Sequence, residues 1–242
     1  MTKKIRLGML TPSSNTALEP ITCAMVSSLP NVTIHFSRFR VTEISLRGPA
    51  LNQFDLDNIL SAARLLADAR VDVISWNGTS SGWLGFHQDK MLCHKITEAT
   101  GIPATTSVLA LNEILKKKGI TRFGLATPYL SDVQSRIITN YRTSGLDCNA
   151  ERHLDLHINY DFAQVKEETI RQLVRELAKE DVQAISTFCT NLHAAHLAVE
   201  LEAETGIPLY DTIATVMWKS LRLAGVDTRA LKDWGSLFRE VD

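Results

Sequence analysis

The sequence has few of the features that mark specialised classes of protein. Its 242 residues contain four cysteines, none paired at the short spacing of a zinc ribbon or redox dithiol. The 26 basic and 27 acidic residues leave a net charge of −1 without a basic block, so neither nucleic acid nor a membrane surface is an expected partner. No apolar run approaches a membrane span and no leader-like segment is apparent, so we expect a cytoplasmic protein. No phosphate-binding glycine motif appears, so no organic cofactor is expected.

What the chain does contain is a regular alternation of strand and helix patterns. Strand patterns at 5–10, 32–36 and 71–75 are separated by helical patterns at 16–28 and 54–69. Parallel strands need crossover connections, which helices supply, so this alternation predicts an α/β fold with parallel sheets covered on both faces. The length allows one large domain or two small ones.

The chain also repeats itself at long range. Three pairs of segments match in the same order: 4–12 with 120–128, 71–79 with 182–190, and 100–103 with 205–208. A period this long predicts a duplicated α/β unit rather than a solenoid. The second match sets Gly78 in the first half opposite Cys189 in the second. Which half takes the helices after Pro103 and Pro208 is left open by the pattern.

The duplication predicts where a ligand would bind. Ligands of open parallel sheets lie beyond the carboxyl ends of the strands, so two such halves facing each other would enclose a site between equivalent loops. Four loops should meet there, at residues 11–15, 77–81, 127–129 and 188–191. They are rich in hydroxyl and amide groups and contain no Asp, Glu, Lys or Arg. Neutral donors of this kind can hold a carboxylate without a cation.

Cys189 is the candidate reactive group in these loops. It follows the apolar run 182–185 and precedes a helical pattern at 192–205, which predicts a position at the end of a strand where a helix begins. Unpaired N–H groups at a helix start favour a thiolate or an anionic ligand. A buried structural thiol is the alternative. His193 and His196 stand at helical spacing from Cys189, but spacing alone is weak evidence, and we expect no metal site.

The motifs at the strand ends resemble those of a known family. They are Gly8-x-Leu10-Thr11-Pro12-Ser13-Ser14-Asn15, Gly78-Thr79-Ser80, Ala126-Thr127-Pro128-Tyr129 and Cys189-Thr190-Asn191. Over essentially the whole chain, the sequence resembles the maleate isomerase and arylmalonate decarboxylase branch of the aspartate/glutamate racemase superfamily. The resemblance implies two pseudo-symmetric, flavodoxin-like domains with the active site in the cleft between them. The first domain would comprise residues 1–103 and 209–242, and the second residues 104–208.

The resemblance also implies a chemistry. Members usually carry one cysteine in each half, acting on opposite faces of the substrate, whereas this chain has Gly78 opposite Cys189. One cysteine opposite glycine is the pattern of the decarboxylase branch, in which Cys189 would protonate the enediolate left when carbon dioxide departs from a malonate-type dicarboxylate. The implied substrate contacts are Pro12, Ser13, Asn15, Gly78, Thr79, Ser80, Tyr129, Asn159 and Thr190. Candidates for an apolar wall are Trp83, Leu84 and Phe188.

Two features favour other functions. The segment 12–15 is nearer the isomerase branch, and Asn159 falls where isomerases are expected to place a carboxylate-binding amide. A cis–trans isomerase of a maleate-like diacid, or an aspartate or glutamate racemase, therefore stays open if another group replaces the missing cysteine. A non-catalytic protein that binds a small dicarboxylate is the third alternative. In each case the expected partner is a small dicarboxylate, and the sequence leaves homo-oligomerisation open.

Overall fold

The computed structural model describes residues 3–241, and its strands form two parallel sheets. The first sheet contains β1 (Ile5–Pro12), β2 (Val32–Phe39), β3 (Val73–Trp76) and β4 (Ala104–Thr106), in the spatial order β2-β1-β3-β4. The second contains β5 (Gly124–Thr127), β6 (Glu151–His153) and β7 (Ile185–Thr187), in the order β6-β5-β7. All pairings between these strands are parallel, which confirms the predicted α/β class.

Helices connect the strands and cover the sheets. In chain order they are α1 (Leu18–Val26), α2 (Gly48–Leu51), α3 (Leu56–Asp68), α4 (Ser81–Leu84), α5 (Phe86–Thr100), α6 (Ser107–Lys117), α7 (Ser131–Thr143), α8 (Asn159–Phe162), α9 (Glu167–Leu177), α10 (Ala198–Thr205), α11 (Thr212–Leu223) and α12 (Leu237–Glu240). Short 3₁₀ helices lie at Asn52–Phe54, Ala195–Leu197 and Thr228–Trp234. Within residues 3–241, no helix has both the length and the apolar character needed to cross a membrane.

The repeated Thr-Gly-Ile-Pro segment forms the same turn in both halves. Gly101 ends α5 and Gly206 ends α10, each with a φ of 71°, a left-handed conformation that costs glycine little. In both turns the threonine hydroxyl donates to the carbonyl four residues earlier and accepts the N–H two residues later. Pro103 and Pro208 then prevent the helix from continuing. The repeat in the sequence is therefore a repeat in local structure.

The two sheets have equivalent strand orders, as a duplicated fold requires. In the second sheet a parallel bridge between Ile185 and Leu209 takes the place of the β3–β4 pairing. Two details differ from the predicted division of the chain, because residues 104–106 pair within the first sheet and Leu209 pairs within the second. Each short strand follows its Ile-Pro dipeptide directly and extends the sheet it comes from, so the crossover falls a few residues later than predicted. The assignment of the remaining residues to two domains stays a prediction.

The chain crosses back to the first sheet through α11. Asp211 caps the start of this helix, and its carboxylate accepts the N–H groups of Ile213 (2.8 Å) and Ala214 (3.3 Å). It packs on β3, where the hydroxyl oxygens of Ser220 and Ser75 lie 2.6 Å apart and both side chains are buried. The two halves thus share a continuous core.

The region after Cys189 differs from the prediction. The pattern at 192–205 predicts a helix that starts directly after the cysteine, but the structure has turns and bends up to Ala194, and α10 itself begins at Ala198. Asn191 explains the difference, since its side chain bonds to two other parts of the chain, and these contacts hold the backbone in a loop. Cys189 therefore lies in a polar loop and not at a helix start.

Candidate active site

A small cavity lies where the carboxyl ends of the two sheets face each other. Its volume is about 20 Å³, which is room for about one water molecule. The residues lining it come from both halves: Pro12, Val41, Ile44, Phe54, Trp76, Gly78, Thr79, Ser80, Trp83, Tyr129, Asn159, Cys189 and Thr190. The cleft is closed in this structure.

The segment that closes the cleft comes from the first half and is fastened to the second. Val41, Ile44 and Phe54 lie over the cavity. The N–H of Ile44 donates to the carbonyl of His157 at 2.8 Å, and Glu43 forms an antiparallel bridge with Ile158. These backbone contacts hold Glu43 and Ile44 of the first half against residues 157–158 of the second.

Most of the predicted contact residues line this cavity, and two do not. Ser13 and Asn15 are absent from its lining. The Ser13 hydroxyl instead accepts the N–H of Val41 at 3.2 Å and so holds the closing segment. The other predicted residues, Pro12, Gly78, Thr79, Ser80, Tyr129, Asn159, Cys189 and Thr190, all face the cavity. Their individual roles towards a substrate stay predictions.

Two asparagines from equivalent loops bind the halves together. Asn15 donates its amide to the carbonyl of Thr190 at 2.8 Å, and its oxygen accepts the N–H groups of residues 17 and 18. Asn191 returns the contact, since its oxygen accepts the N–H groups of Thr16 (2.9 Å) and Ala17 (3.2 Å) and its amide donates to Asn159. Both side chains are buried. These reciprocal bonds hold the loop at 11–15 against the loop at 188–191.

Cys189 is a buried, protonated thiol. Its residue is 2% exposed, and burial raises the pKa of the thiol to about 12, with a further contribution from the Asp211 carboxylate. Hydrogen bonds from Tyr129 and from the N–H of Asn191, which lies 3.4 Å from Sγ, act in the opposite direction and lower the pKa. The expectation of a thiolate held by a helix start is therefore not met, because burial outweighs the donors and the helix begins further along.

Hydrogen-bond donors face the cavity from both halves. The Tyr129 hydroxyl lies 2.6 Å from that of Thr79, and burial keeps the pKa of Tyr129 well above its usual value, so the hydroxyl retains its proton. In the part of the chain that the structure describes, the backbone N–H groups of Gly78, Thr79, Cys189 and Thr190 have no hydrogen-bond acceptor. Each half thus presents free N–H groups next to the thiol, an arrangement suited to an anion.

The rest of the lining is apolar. Trp83 packs edge-on against Tyr129 and Phe54, at centroid distances of 5.4 Å and 6.0 Å. Its Nε1 is buried and, among residues 3–241, has no hydrogen-bond partner. Of the other predicted wall residues, neither Leu84 nor Phe188 lines the cavity. Sequence reasoning missed Val41, Ile44, Phe54 and Trp76, and of these only Trp76 carried a signal, as the bulky residue that ends a buried strand next to Gly78.

Trp76 and Gly78 are in very close contact. A Cβ atom placed on Gly78 would lie 2.7 Å from the Cη2 atom of Trp76 and closer still to Cζ2 and Cε2 of the same ring. The Trp76 residue is 1% exposed and its ring packs on Phe39, with centroids 5.0 Å apart. The indole therefore occupies the space that any side chain at position 78 would need.

Ionisable groups other than Cys189 and Tyr129 stay outside the cavity lining of the described chain. Two carboxyls of the described chain are buried, and both are held by hydroxyls: Asp89 by Ser81 (2.8 Å) and Thr106, and Asp211 by Thr187 (2.7 Å). Burial raises the pKa of both carboxyls to about 6. Metal-binding clusters are absent among residues 3–241, and His196 pairs with Glu167 at 2.9 Å instead of facing Cys189. The site is thus built from neutral donors, one thiol and apolar side chains.

Comparison of the sequence with known proteins identifies relatives of this chain. A family model described as arylmalonate decarboxylase matches residues 8–238. The arylmalonate decarboxylase of Bordetella bronchiseptica is 30% identical over 188 residues, which is 76% of this chain and 78% of that protein. A maleate isomerase of Pseudomonas putida KT2440 is 24% identical over 234 residues, 92% of each chain.

Solved structures agree with the sequence matches. A cysteine-to-alanine maleate isomerase from Pseudomonas putida S16, determined with maleate, superposes with a TM-score of 0.90 at 23% identity over 99% of both chains, which shows the same fold. A glycine-to-cysteine mutant of arylmalonate decarboxylase in its sulfate-associated form gives a TM-score of 0.81 at 26% identity, over 97% of this chain and 100% of that one.

Proposed function

The chain belongs to the arylmalonate decarboxylase family, and we propose that it is a cofactor-independent decarboxylase of a malonate-type dicarboxylate. Its resemblance to the maleate isomerase and arylmalonate decarboxylase branch is confirmed by the family match and by relatives of both kinds. The family contains enzymes, and the relatives of this chain include both a decarboxylase and isomerases. The choice between the two reactions rests on the site itself.

The observation that carries the proposal is a single protonated thiol with no reactive group in the equivalent position of the other half. Cys189 supplies one proton donor, and Gly78 with the Trp76 indole beside it supplies neither acid nor nucleophile. A two-base racemase needs groups on both faces of the carbon, and an isomerase that adds to a double bond needs a second nucleophile. Decarboxylation followed by protonation needs one acid only, which is what this site contains.

The proposed reaction proceeds in two steps. In the first, the bond between the α-carbon and one carboxylate breaks, carbon dioxide leaves, and the electron pair moves into the retained carboxylate to form an enediolate. In the second, the S–H bond of Cys189 breaks and its proton forms the new C–H bond. The resulting thiolate accepts hydrogen bonds from Tyr129 and the N–H of Asn191 until water returns a proton. The raised pKa keeps the proton on the thiol at neutral pH, so a proton is present for transfer to the enediolate.

The surroundings of Cys189 fit both steps. The charge of an enediolate is met by the free N–H groups of Gly78, Thr79, Cys189 and Thr190 together with the Tyr129 hydroxyl. A preorganised donor of this type is worth ~3–4 kcal/mol in the transition state. Val41, Ile44 and Trp83 offer an apolar surface to the carboxylate that leaves, and a desolvated carboxylate loses carbon dioxide more readily.

An isomerase remains the second candidate, because one observation favours it. Asn159 lines the cavity and its amide donates to the hydroxyl of Ser14 at 2.7 Å, so the lining contains a polar side chain in addition to Thr79 and Tyr129. Such a side chain would suit the second carboxylate of maleate. The isomerase would require a nucleophile in place of Gly78, and Thr79 and Ser80 are the cavity-lining hydroxyls that follow it directly in sequence.

The experiment that tests the proposal follows several dicarboxylates in heavy water by proton NMR. Purified protein is incubated with methylmalonate, phenylmalonate, maleate or aspartate, with a Cys189→Ala variant as the control. We expect carbon dioxide release from a malonate and one deuterium on the α-carbon of the monoacid, both lost in the variant. Conversion of maleate to fumarate without carbon dioxide release would reject the decarboxylase and support the isomerase. Binding without turnover of any compound would reject both.

A further inference from the structure

We infer that Trp76 is the residue that restricts this site to chemistry from one face. The indole fills the space beside Gly78, so position 78 is unable to present a side chain to the substrate. The steric part of this inference depends only on the structure, and the stereochemical part rests on the proposed decarboxylation.

The backbone alone does not require glycine at position 78. Its φ lies outside the left-handed region, where glycine is favoured over other residues, so an alanine or cysteine would be unstrained in backbone terms. The obstacle is the ring of Trp76, three of whose atoms would lie within 3.0 Å of an added Cβ. A contact this short forces something to move, since real Cβ atoms essentially never show it. Trp76 therefore imposes glycine at this position.

The ring is itself unable to move aside easily. Trp76 ends β3, where it is hydrogen-bonded between β1 and β4. Its residue is 1% exposed and its ring packs on Phe39. Rotation of a packed indole would leave a void or displace neighbours, both of which cost stability. The sheet thus holds the backbone of Trp76, and packing on Phe39 holds its ring.

The same ring gives the site two different faces. On one side Cys189 offers an acidic proton, and on the side of Gly78 the indole offers only carbon surface and its N–H, whose pKa is far too high for proton exchange. An enediolate bound between them takes its proton from Cys189 alone. We therefore expect a product of single handedness from a prochiral malonate, and no racemisation of that product on long incubation.

A stability cycle tests the steric part. Gly78→Ala is compared in the natural chain and in a Trp76→Ala chain, by urea unfolding. We expect Gly78→Ala to lower the unfolding midpoint clearly when Trp76 is present and to leave it unchanged, or raise it, when the indole is absent. Equal effects of Gly78→Ala in the two chains would overturn the inference, whatever reaction the protein catalyses.

A reactivity test covers position 78 directly. Gly78→Cys is introduced with Cys189→Ser, with and without Trp76→Ala, and alkylation by iodoacetamide is measured with and without phenylmalonate. We expect the new thiol to react and to be protected by phenylmalonate only when Trp76 is removed. Protected alkylation in the presence of Trp76 would contradict the inference. Unfolding midpoints of both variants show whether each is folded, so an unreactive thiol in a folded protein is distinguished from a misfolded one.

The stereochemical part is read from the monoacid product. With Cys189 intact, the Gly78→Cys and Trp76→Ala double variant should exchange the α-proton of the product and racemise it, while Gly78→Cys alone should not. Exchange by the single variant would overturn the role of Trp76. If the natural chain decarboxylates no malonate, the proposed function fails, whereas the steric inference is still judged by the two preceding tests.

Discussion

The hydroxyl oxygens of Thr79 and Tyr129 lie 2.6 Å apart, although the two residues belong to different halves of the repeat. Tyr129 also hydrogen-bonds to Cys189, which lowers the pKa of the thiol against the effect of burial. One hydroxyl pair therefore connects the loop at residues 77–81 of the first half with the Cys189 thiol of the second.

Removal of the tyrosine hydroxyl should slow catalysis more than it weakens binding. For Tyr129→Phe we expect kcat to fall about 10²-fold with a smaller change in KM, because the hydroxyl is needed most when charge develops on the retained carboxylate. Steady-state kinetics on the malonate identified by NMR measures both. Thr79→Val and the double variant complete a cycle, in which the shared hydrogen bond should make the two effects clearly non-additive. Fully additive effects would contradict the coupling.

Loss of the Cys189 thiol should reduce turnover strongly and preserve binding. Cys189→Ala is expected to reduce kcat by about 10²–10⁴-fold, the usual contribution of a positioned acid, while the dissociation constant of the dicarboxylate changes little. Calorimetric titration and kinetics on the same samples check this. Cys148→Ala is the matched control, since Cys148 is also buried and burial also raises its pKa to about 12, but it lies outside the cavity lining. A comparable loss of activity in both variants would count against a special role for Cys189.

Cys189 should resist alkylation at neutral pH. Since burial raises the pKa of the thiol to about 12, it is almost wholly protonated at pH 7, and the thiolate is the form that reacts. Iodoacetamide should modify the exposed Cys23 first, as read by peptide mass spectrometry. Raising the pH to 9 should leave Cys189 the slower of the two. Faster reaction of Cys189 at pH 7 would show an activated thiolate and reject its role as an acid.

The buried carboxyl of Asp211 should make stability depend on pH. Its pKa is about 6 in the folded state against an ordinary value of 3.8, so the folded state binds the proton more tightly than the unfolded state. The free energy of unfolding should then fall as the pH rises from about 4 to 6, by ~3 kcal/mol for this group. Asp211→Asn keeps an acceptor for the start of α11 and does not titrate. The free energy of unfolding of the variant minus that of the natural chain should therefore rise by ~2–3 kcal/mol as the pH rises from 4 to 7, measured by urea unfolding.

Asp89 serves as an internal check on that comparison. Its pKa is raised in the same direction, to about 6, and it is present in both proteins, so its contribution cancels. If the difference in the free energy of unfolding between Asp211→Asn and the natural chain stays constant over this pH range, Asp211 has an ordinary pKa.

Asn191→Ala should destabilise the protein strongly. The substitution leaves the N–H of Thr16 and the carbonyl of Asn159 without their partner, and it leaves the N–H of Ala17 with Asn15 as its one acceptor, each in buried or partly buried surroundings. We expect a loss of ~2–4 kcal/mol in the free energy of unfolding, measured in urea. Asn58→Ala, at an exposed position in α3, should change it by less than about 0.5 kcal/mol. A small effect at Asn191 would mean that the halves are held by other contacts.

The sequence predicts those parts of the fold that depend on local chemistry. Gly101 and Gly206, each followed by Ile-Pro, predict two helix ends, and in the structure both ends have the same φ and the same threonine hydrogen bond. The repeat also predicts that the loops at 77–81 and 188–191 face each other, because equivalent strand ends of a duplicated fold share one cleft. Thr79, Tyr129, Cys189 and Thr190 accordingly line one cavity.

Long-range contacts account for what the sequence does not predict. Val41 and Ile44 belong to a segment without periodicity, which is held at the cavity by hydrogen bonds to Ser13 and to residues 157 and 159. The helix predicted from Leu192 starts late because the Asn191 side chain bonds across the cleft, which no local propensity reveals. The raised pKa of Cys189 follows from burial between the halves, and so from tertiary structure alone.

The contact between Trp76 and Gly78 also has an evolutionary consequence. Because the indole fills the space next to residue 78, the two positions are epistatic: a side chain at 78 is tolerated only after the bulk at 76 has been lost. In a lineage that carries this tryptophan, the order of substitutions towards a two-thiol enzyme therefore matters. Residue 76 must become smaller before a cysteine at residue 78 is tolerated. Relatives that carry a cysteine at the equivalent position should therefore have a smaller residue two places before it, a correlation that an alignment of the family would reveal.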